Sequence, residues 1–184
     1  MADNDVTIRP SRDEDVAAIA AIYGHHVLNG VASFEEAPPA PEEMARRRQA
    51  IVERGLPHLV AERGGRVVGY CYAGPFRPRV GYRFTLEDSV YVDAGEIGRG
   101  IGRRLLERVV AECGALGYRQ MVGVIGGRET VASIKLHESL GFAHIGILPA
   151  VGFKFGRWID IVMMQKTLGP GAESLPGEIA DQRR

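Results

Sequence analysis

The spacing of apolar and polar positions predicts helices and strands along the first half of the chain. The segment VTIRP (6–10) predicts a short strand. Ser11 and Glu14 form a capping box, which predicts the start of a helix running to about Val27. A second helix is predicted to begin at Pro41, since proline suits the first helical position. A short strand followed by two helices is therefore expected.

Strands and helices alternate in the second half. HLVAE and RVVGYCYAG flank Gly64 and Gly65, which predicts a hairpin, and TLEDSVYV predicts the next strand. An amphipathic helix is predicted from near Ile101, MVGVIG predicts a buried strand, and TVASIKLHESLG predicts a helix that Gly141 ends. FAHIGIL and IDIVMMQKTL predict closing strands. The pattern as a whole predicts an α+β fold with helices packed on a mixed sheet.

The chain divides into one domain and a tail. Its 184 residues fit one domain with a substantial core, which we assign to residues 1–168. The segment GPGAESLPGEIADQRR is polar and has no periodicity, so residues 169–184 are predicted to be a disordered tail.

Composition and charge restrict the class of protein. Lys plus Arg and Asp plus Glu each total 23, a balance that argues against a general nucleic-acid binder. Apolar runs fall short of the roughly 20 residues that a membrane span needs, and the N-terminus does not resemble a signal peptide. Cys71 and Cys113 have no metal-ligand spacing to a partner. We therefore expect a cytoplasmic protein with free thiols, no metal, and neither a nucleic-acid nor a membrane partner.

A glycine-rich segment, EIGRGIGRR (96–104), follows the strand TLEDSVYV. A dinucleotide fingerprint counted from Gly98 needs its third glycine at Arg103, and a P-loop needs a lysine that this segment lacks. The remaining hypothesis is a turn that presents backbone N–H groups to a pyrophosphate at a helix N-terminus. On the glycines alone, a strand-to-helix turn without a ligand is an equally good interpretation.

Several motifs together resemble the GCN5-related N-acetyltransferase (GNAT) superfamily over about residues 6–168. Its loop pattern Q/R-x-x-G-x-G/A is matched by IGRGIG, with Ile97 departing at the first position. Its helix pattern N-x-x-S-x-x-L-H-x-x-x-G-F is matched by TVASIKLHESLGF, with Thr130 in place of the common asparagine. The longer strings AGPFRPRVGYRFTLEDSVYV and VGFKFGRWIDIVMMQ are similar to the phosphinothricin and methionine sulfoximine N-acetyltransferase branch.

This resemblance implies a fold, a reaction and a cosubstrate. The fold is a mixed, mostly antiparallel central sheet with helices on both faces. The reaction moves acetyl from acetyl-CoA to the α-amine of a glutamate- or methionine-like amino acid analogue, in a cytoplasmic homodimer. The residues implied in acetyl-CoA binding come from a strand, a loop and a helix: Val90, Tyr91, Val92, Ile97, Gly98, Arg99, Gly100, Ile101, Gly102, Arg103, Thr130 and Ser133.

Two residues are candidates for proton transfer. Glu87 stands where the branch has its proposed catalytic glutamate, although an outward-facing strand acid is the alternative; strand alternation points Asp88 to the opposite face. His137 stands where much of the superfamily has a tyrosine proton donor, and an ordinary histidine pKa near 6.5 suits that task. A structural role for His137 is the alternative. A backbone N–H near Tyr91 or Val92 is the candidate oxyanion donor.

The loop FRPRVGY supplies candidate substrate ligands shortly before the candidate base. The guanidinium groups of Arg77 and Arg79, with Tyr82, suit the oxygens of a carboxylate, phosphinate or sulfoximine. Two solvated loop arginines are the alternative interpretation.

Three further residues are assigned less closely. Phe34 is a candidate apolar wall of the substrate site, and Lys154 and Trp158 are expected to line either the site or a dimer contact. Two other functions stay open, a protein or peptide N-acetyltransferase and a non-catalytic acyl-CoA-binding module.

Overall fold

In the computed structural model, which describes residues 6–177, seven strands form one sheet. The strands are β1 (Thr7–Pro10), β2 (His58–Arg63), β3 (Arg66–Pro75), β4 (Thr85–Val92), β5 (Gln120–Gly126), β6 (Ala143–Lys154) and β7 (Arg157–Thr167). Their order across the sheet is β1-β2-β3-β4-β5-β7-β6. Neighbouring strands are antiparallel except β4 and β5, which are parallel. The predicted mixed, mostly antiparallel sheet is confirmed.

Helices cover both faces of this sheet, as predicted. They are α1 (Val16–Asn29), α2 (Pro41–Val52), α3 (Ile101–Ala115) and α4 (Val131–Ser139). On one face, Ile19 and Tyr23 of α1 pack with Tyr70 and Tyr91 of the sheet. On the other, α3 and α4 pack over a larger core that includes Leu105. Burial of apolar side chains on both faces stabilises the layered arrangement.

Strand alternation decides which of the two layers each residue of β4 faces. Leu86 belongs to the core under α3, and Tyr91 belongs to the core under α1. Since successive side chains of a strand point to opposite faces, Glu87 shares the α1 face with Tyr91, and Asp88 shares the α3 face with Leu86.

The start of α1 differs from the predicted capping box of Ser11 and Glu14. The carboxylate of Asp15 accepts a hydrogen bond from the backbone N–H of Arg12 at 2.7 Å, one position later than expected. The Ser11 hydroxyl instead accepts a hydrogen bond from Nε of the buried Arg48 at 2.7 Å. A buried guanidinium needs acceptors for its N–H groups, and this long-range requirement overrides the local capping pattern.

The beginning of the predicted tail lies within the described residues. Residues 169–174 form turns and bends, and Arg119 donates hydrogen bonds to the carbonyls of Gly171 and Leu175 and to the Ser174 hydroxyl, each at 3.2 Å. A single arginine from the body of the domain thus fixes this polar segment. The rest of the predicted tail, from residue 178, lies outside the described residues. Within the described part of the chain, no helix has the length and apolar character needed to cross a membrane.

Candidate active site

Strands β4 and β5 pair over a short distance and then separate. Their register runs from Thr85 opposite Gln120 to Asp88 opposite Gly123, although β4 continues to Val92. Beyond this point, β4 stays paired with β3 on its other side, and β5 stays paired with β7. The facing backbone edges of the two strands therefore lose each other as hydrogen-bonding partners and border a cleft. We call the point of separation, at Asp88 and Gly123, the vertex.

A cavity of about 590 Å³ fills this cleft. It is bordered by the separated strands, by the segment 31–34 after α1, by the glycine-rich loop and by the N-terminal part of α4. The predicted cofactor-binding residues that line it are Val90, Tyr91, Val92, Ile97, Gly98, Gly100, Ile101, Gly102, Arg103, Thr130 and Ser133. Arg99 lies outside this lining, and its Nε forms an ion pair at 3.1 Å with the buried carboxylate of Glu96.

Backbone conformation explains two of the three glycines. Gly98 and Gly100 have φ of 83° and 76°, in the left-handed region, and a Cβ at either position would meet nothing within 4 Å. Glycine is required there by its dihedral angles rather than by crowding. Gly100 precedes α3, and the N–H groups of the first helical turn have no intrahelical partners. These N–H groups, together with the helix dipole, make the loop suitable for a pyrophosphate.

Thr130 contributes an acceptor to the cavity. Its hydroxyl donates a hydrogen bond to the carbonyl of Gly126 at 2.7 Å, so its single proton is already used. A ligand can therefore donate to Thr130 Oγ1 but can receive no hydrogen bond from it. This separates Thr130 from the asparagine common at this position, whose amide offers both donors and an acceptor.

Glu87 has the electrostatics of a base that works near neutral pH. It lines the cavity and is half-buried on the α1 face of β4. Burial and, to a smaller extent, the charge of Asp88 raise the pKa of Glu87 to about 7, against the opposing charge of Arg77. A carboxyl group with this pKa exchanges protons readily at neutral pH.

His137 lies on the opposite face of the sheet from Glu87, at the vertex. Its ring is 2% exposed, and Nε2 is 3.1 Å from Oδ2 of Asp88. The other ring nitrogen, Nδ1, is 2.8 Å from the carbonyl oxygen of Ser133. Burial lowers the pKa of His137, but the hydrogen bond to Asp88 and the charge of Asp88 outweigh it, so the pKa lies above its usual value. The sequence analysis named His137 as a candidate acid and Asp88 as the neighbour of Glu87, but it missed the contact between His137 and Asp88.

The predicted substrate residues occupy different positions. Phe34 lines the cavity together with Glu87. The Arg77 guanidinium lies 5.1 Å from the ring centroid of Phe76 and 5.7 Å from that of Tyr82, and its charge acts on Glu87. Tyr82 lines a smaller groove of about 250 Å³, and Arg79 is exposed outside the lining of the large cavity.

Lys154, whose position the sequence left open, is a buried anchor. It is 3% exposed, and its ammonium group donates to the carbonyls of Val27, Gly30 and Ser33 at 2.7, 2.9 and 2.7 Å. These bonds fix the segment that ends at Phe34. A Cβ on Gly152 would approach the Phe34 ring to 2.4 Å, so this glycine leaves the space that the ring occupies. Strand β6 therefore positions the apolar wall of the cavity.

His26 also borders the cavity and was missed by the sequence analysis. Its Nε2 lies 2.8 Å from the carbonyl oxygen of Val92, to which it donates, at the end of β4. No local motif marks a histidine of α1 as a partner of a strand far along the chain. Among residues 6–177, no group of three or more His, Cys, Asp and Glu side chains is placed to hold a metal ion.

Fold and cavity together define an acetyltransferase of the GNAT type, and comparison with known proteins agrees. The sequence profile of the acetyltransferase (GNAT) family matches residues 11–142. The chain belongs to this family.

Relatives extend the comparison over nearly the whole chain. The chain is 51% identical over 170 residues to a phosphinothricin N-acetyltransferase from Alcaligenes faecalis, which covers 92% of this chain and 86% of the relative. It is 40% identical over 163 residues to an L-methionine sulfoximine/L-methionine sulfone acetyltransferase from Salmonella typhimurium, covering 89% and 95%. The crystal structure of a phosphinothricin acetyltransferase from Sinorhizobium meliloti in complex with AcCoA superposes with a TM-score of 0.93 at 46% identity, covering 96% and 97%. The predicted resemblance to this branch is confirmed.

We expect Gly100→Ala to weaken acetyl-CoA binding. An L-residue with a side chain resists the left-handed conformation by about 1–2 kcal/mol, which corresponds to a roughly 5- to 30-fold loss of affinity if the loop shifts to relieve the strain. Calorimetric titration with acetyl-CoA measures the effect. Gly114→Ala is the matched control, because Gly114 lies in α3 and a Cβ there meets nothing within 4 Å. Equal affinity in both variants would contradict the proposed role of the loop.

Proposed function

We propose that this chain transfers the acetyl group of acetyl-CoA to the α-amine of a small amino acid analogue of the phosphinothricin, methionine sulfoximine or methionine sulfone type. The observation that carries this proposal is Glu87, a half-buried carboxylate with a pKa of about 7 on the wall of a cavity that also contains the glycine-rich loop. The names of the relatives support the substrate class.

In this proposal, acetyl-CoA binds along the cleft. Its pyrophosphate meets the N–H groups at the start of α3, and its pantetheine arm follows the backbone edge of β4 beyond the vertex. An amide-containing chain laid along an unpaired strand edge can replace the strand hydrogen bonds that are lost where β4 and β5 separate. The oxyanion is assigned to a backbone N–H near Tyr91 or Val92.

The amine must lose its proton before it attacks the thioester. A peptide α-amine has a pKa of about 7.7–8.0 and a lysine amine about 10.4, and each unit corresponds to about 1.4 kcal/mol. A free amino acid, whose carboxylate favours the ammonium form, lies between these cases. Glu87, with a pKa of about 7, accepts this proton directly or through water without being trapped in either protonation state.

Departure of the coenzyme requires a proton on sulfur. A thiol has a pKa of about 8.5, so the departing sulfur ends as a thiol near neutral pH. An acid that donates this proton as the carbon–sulfur bond breaks makes departure easier. We assign this role to His137, whose pKa is raised by the hydrogen bond to Asp88 against the effect of burial. The base and the acid then lie on opposite faces of β4, on either side of the thioester.

Substrate recognition is assigned to the loop before β4 and to Phe34. The charge of the exposed Arg77 lowers the pKa of Glu87, which supports the assignment of Arg77 to the anionic end of the substrate. Arg79 supplies a second guanidinium in the same loop. A substrate held by its anionic end at these arginines presents its α-amine toward Glu87, and Phe34 contacts its apolar chain.

We also propose that the chain forms a homodimer through the edge strand β6. Residues 143–151 of this strand are exposed without interruption. Its large apolar side chains, with Phe155 of the following turn and Trp158 at the start of β7, are 42–66% exposed: Ile145, Ile147, Leu148, Val151, Phe153, Phe155 and Trp158. A long, exposed, apolar edge strand is a liability unless another chain covers it. The cytoplasmic location and the absence of a nucleic-acid or membrane partner stay predictions.

We expect Glu87→Gln to lower the acetylation rate for methionine sulfoximine by about 10²- to 10⁴-fold near neutral pH. Wild-type kcat/KM should rise with pH through the Glu87 pKa of about 7, because only the carboxylate acts as a base. The variant should lack this transition and approach the wild type at higher pH, where more of the amine is neutral. Thiol-release kinetics across pH provide the measurement.

Two controls accompany the Glu87 variant. Acetyl-CoA affinity should be unchanged, and Glu107→Gln, at an exposed position of α3, should keep the wild-type profile. Full activity of Glu87→Gln at neutral pH would contradict the assignment. The same assay with peptides and polyamines decides against the amino acid proposal if these are the better substrates.

We expect Arg77→Ala and Arg79→Ala each to lower kcat/KM for methionine sulfoximine by about 10- to 150-fold, since a hydrogen bond to a charged group contributes roughly 1.5–3 kcal/mol. The decarboxylated amine of methionine sulfoximine should be a poor substrate that responds little to either change. Arg83→Ala is the control from the same loop, because Arg83 stacks over Phe84 and donates to the carbonyl of Val80. Equal losses on both substrates would assign the arginines to the fold or the cofactor instead.

We expect the double variant Val151→Glu and Phe153→Glu to be monomeric by sedimentation velocity at concentrations where the wild type is dimeric. Charges placed on the apolar edge strand oppose burial against a second copy. Leu28→Glu serves as the control, because Leu28 is an equally exposed apolar residue on α1. A wild-type protein that sediments as a monomer would contradict the dimer.

A further inference from the structure

Asp88 and His137 meet at the vertex, where the sheet opens into the cavity. Asp88 is the last residue of β4 paired with β5, and its carboxylate is 6% exposed on the face covered by α3 and α4. His137, on α4, is buried beside it, with Nε2 3.1 Å from Oδ2. The edge of the imidazole packs against the ring of Phe142, with ring centroids 4.9 Å apart. The ring is therefore held on several sides.

The hydrogen bonds of this ring determine its protons. Nδ1 faces the carbonyl oxygen of Ser133, which can only accept, so Nδ1 carries a proton. Nε2 faces an oxygen of Asp88, and an ionised carboxylate also only accepts. With an ionised Asp88, hydrogen bonds at both nitrogens require an imidazolium ion, whereas a neutral imidazole would need a protonated Asp88 as the donor to Nε2. The pair holds one more proton than a neutral histidine and an ionised aspartate would.

We propose that Asp88 is a positioning residue that keeps His137 doubly protonated at the vertex, ready to protonate the departing coenzyme A thiolate. This inference rests on the proposed function. When the amine has attacked and the carbon–sulfur bond breaks, the electron pair goes to sulfur. The Nε2 proton of His137, a residue that borders the cavity, then leaves its Asp88 acceptor for the thiolate. The imidazole keeps its Nδ1 proton on Ser133 and regains the other from solvent. The proton released by the amine goes to Glu87.

Gly123 makes the contact between the two side chains possible. It lies on β5 directly opposite Asp88. A Cβ at this position would come within 2.8 Å of Cδ2 and 2.9 Å of Nε2 of His137, and 3.5 Å from Oδ1 of Asp88. Both ring atoms belong to a side chain that is packed and hydrogen-bonded, so the ring could not move aside without breaking its contact with Asp88. A methyl group at position 123 therefore displaces the imidazole.

The surroundings of the pair contain few other titratable groups. Glu87 lies on the same strand but faces the opposite layer. Cys71 on β3 and Cys113 on α3 are buried, and burial together with the charge of Asp88 raises the pKa of both thiols, so both stay neutral. Oδ1 of Asp88 is buried and accepts no hydrogen bond from the residues that the structure describes. The imidazolium is thus the group that compensates the charge of Asp88.

The test combines imidazole nitrogen NMR with the pH dependence of kcat. In the unliganded wild type, His137, assigned with a His137→Asn variant, should keep protons on both ring nitrogens above the ordinary histidine pKa. In Asp88→Asn, His137 should lose one of its two ring protons at lower pH, because burial then lowers its pKa without the opposing charge of Asp88. The alkaline fall of kcat should shift to lower pH, with a loss of about 10- to 100-fold at the alkaline end. Acetyl-CoA affinity should be retained.

Gly123→Ala tests the same proposal while Asp88 and His137 are both still present. It should reproduce the kcat shift of Asp88→Asn, whereas the matched control Gly114→Ala should keep the wild-type profile. A singly protonated His137 in the wild type, or an unshifted profile in folded Asp88→Asn, overturns the proposal, even if stability falls. If no amine is acetylated at all, the proposed function fails, and the NMR measurement still decides the protonation state.

Discussion

The separation of β4 from β5 is the constraint on which the rest of the site depends. In an ordinary parallel pair, the two strands would satisfy each other's N–H and C=O groups along their full length. Here the pairing ends at Asp88 and Gly123, and each strand stays rigid because its outer edge is still paired. The sheet thereby provides a polar-edged cleft in the middle of a folded domain, where a solvated loop would be too mobile and a continuous sheet would leave no space.

Alternation along β4 then distributes the chemistry around this cleft. Adjacent residues of one strand reach different layers, so Glu87 faces the helix α1 side and Asp88 faces the α3 and α4 side. Two acidic side chains on one face would oppose each other's ionisation strongly, whereas here the charge of Asp88 is a smaller cause of the raised Glu87 pKa than burial. His137 lies beside Asp88, and the charge of Arg77 acts on Glu87. Asp88 is therefore paired with His137, while the pKa of Glu87 is about 7.

Local patterns predicted much of this structure, because periodicity and turn chemistry are carried by short segments. The helices, the hairpin and the glycine-rich turn follow from spacing alone, and motif resemblance gave the mixed, mostly antiparallel sheet with helices on both faces. The Ser11 cap was wrong because Arg48, far along the chain, takes the serine oxygen. The turns of residues 169–174 were not foreseen, because Arg119, which donates hydrogen bonds to this segment, lies far along the chain in the loop before β5. Contacts of this kind require the fold to be known before they can be inferred.

The contacts of Lys154 could likewise not be inferred from local patterns. Its position on β6 links the proposed dimer surface to the proposed substrate pocket. Alternation on β6 turns Val151 and Phe153 to the exposed edge, and turns Gly152 and Lys154 inward toward the segment before Phe34. One strand therefore presents the proposed dimer surface on one side and shapes the proposed substrate wall on the other. A second copy that covers the edge would restrict the movement of β6, and with it the movement of the carbonyl-bound ammonium group and the Phe34 ring. Dimer formation and the definition of the substrate pocket would then depend on the same strand, which gives a physical reason for so long an apolar edge to remain exposed on the single chain.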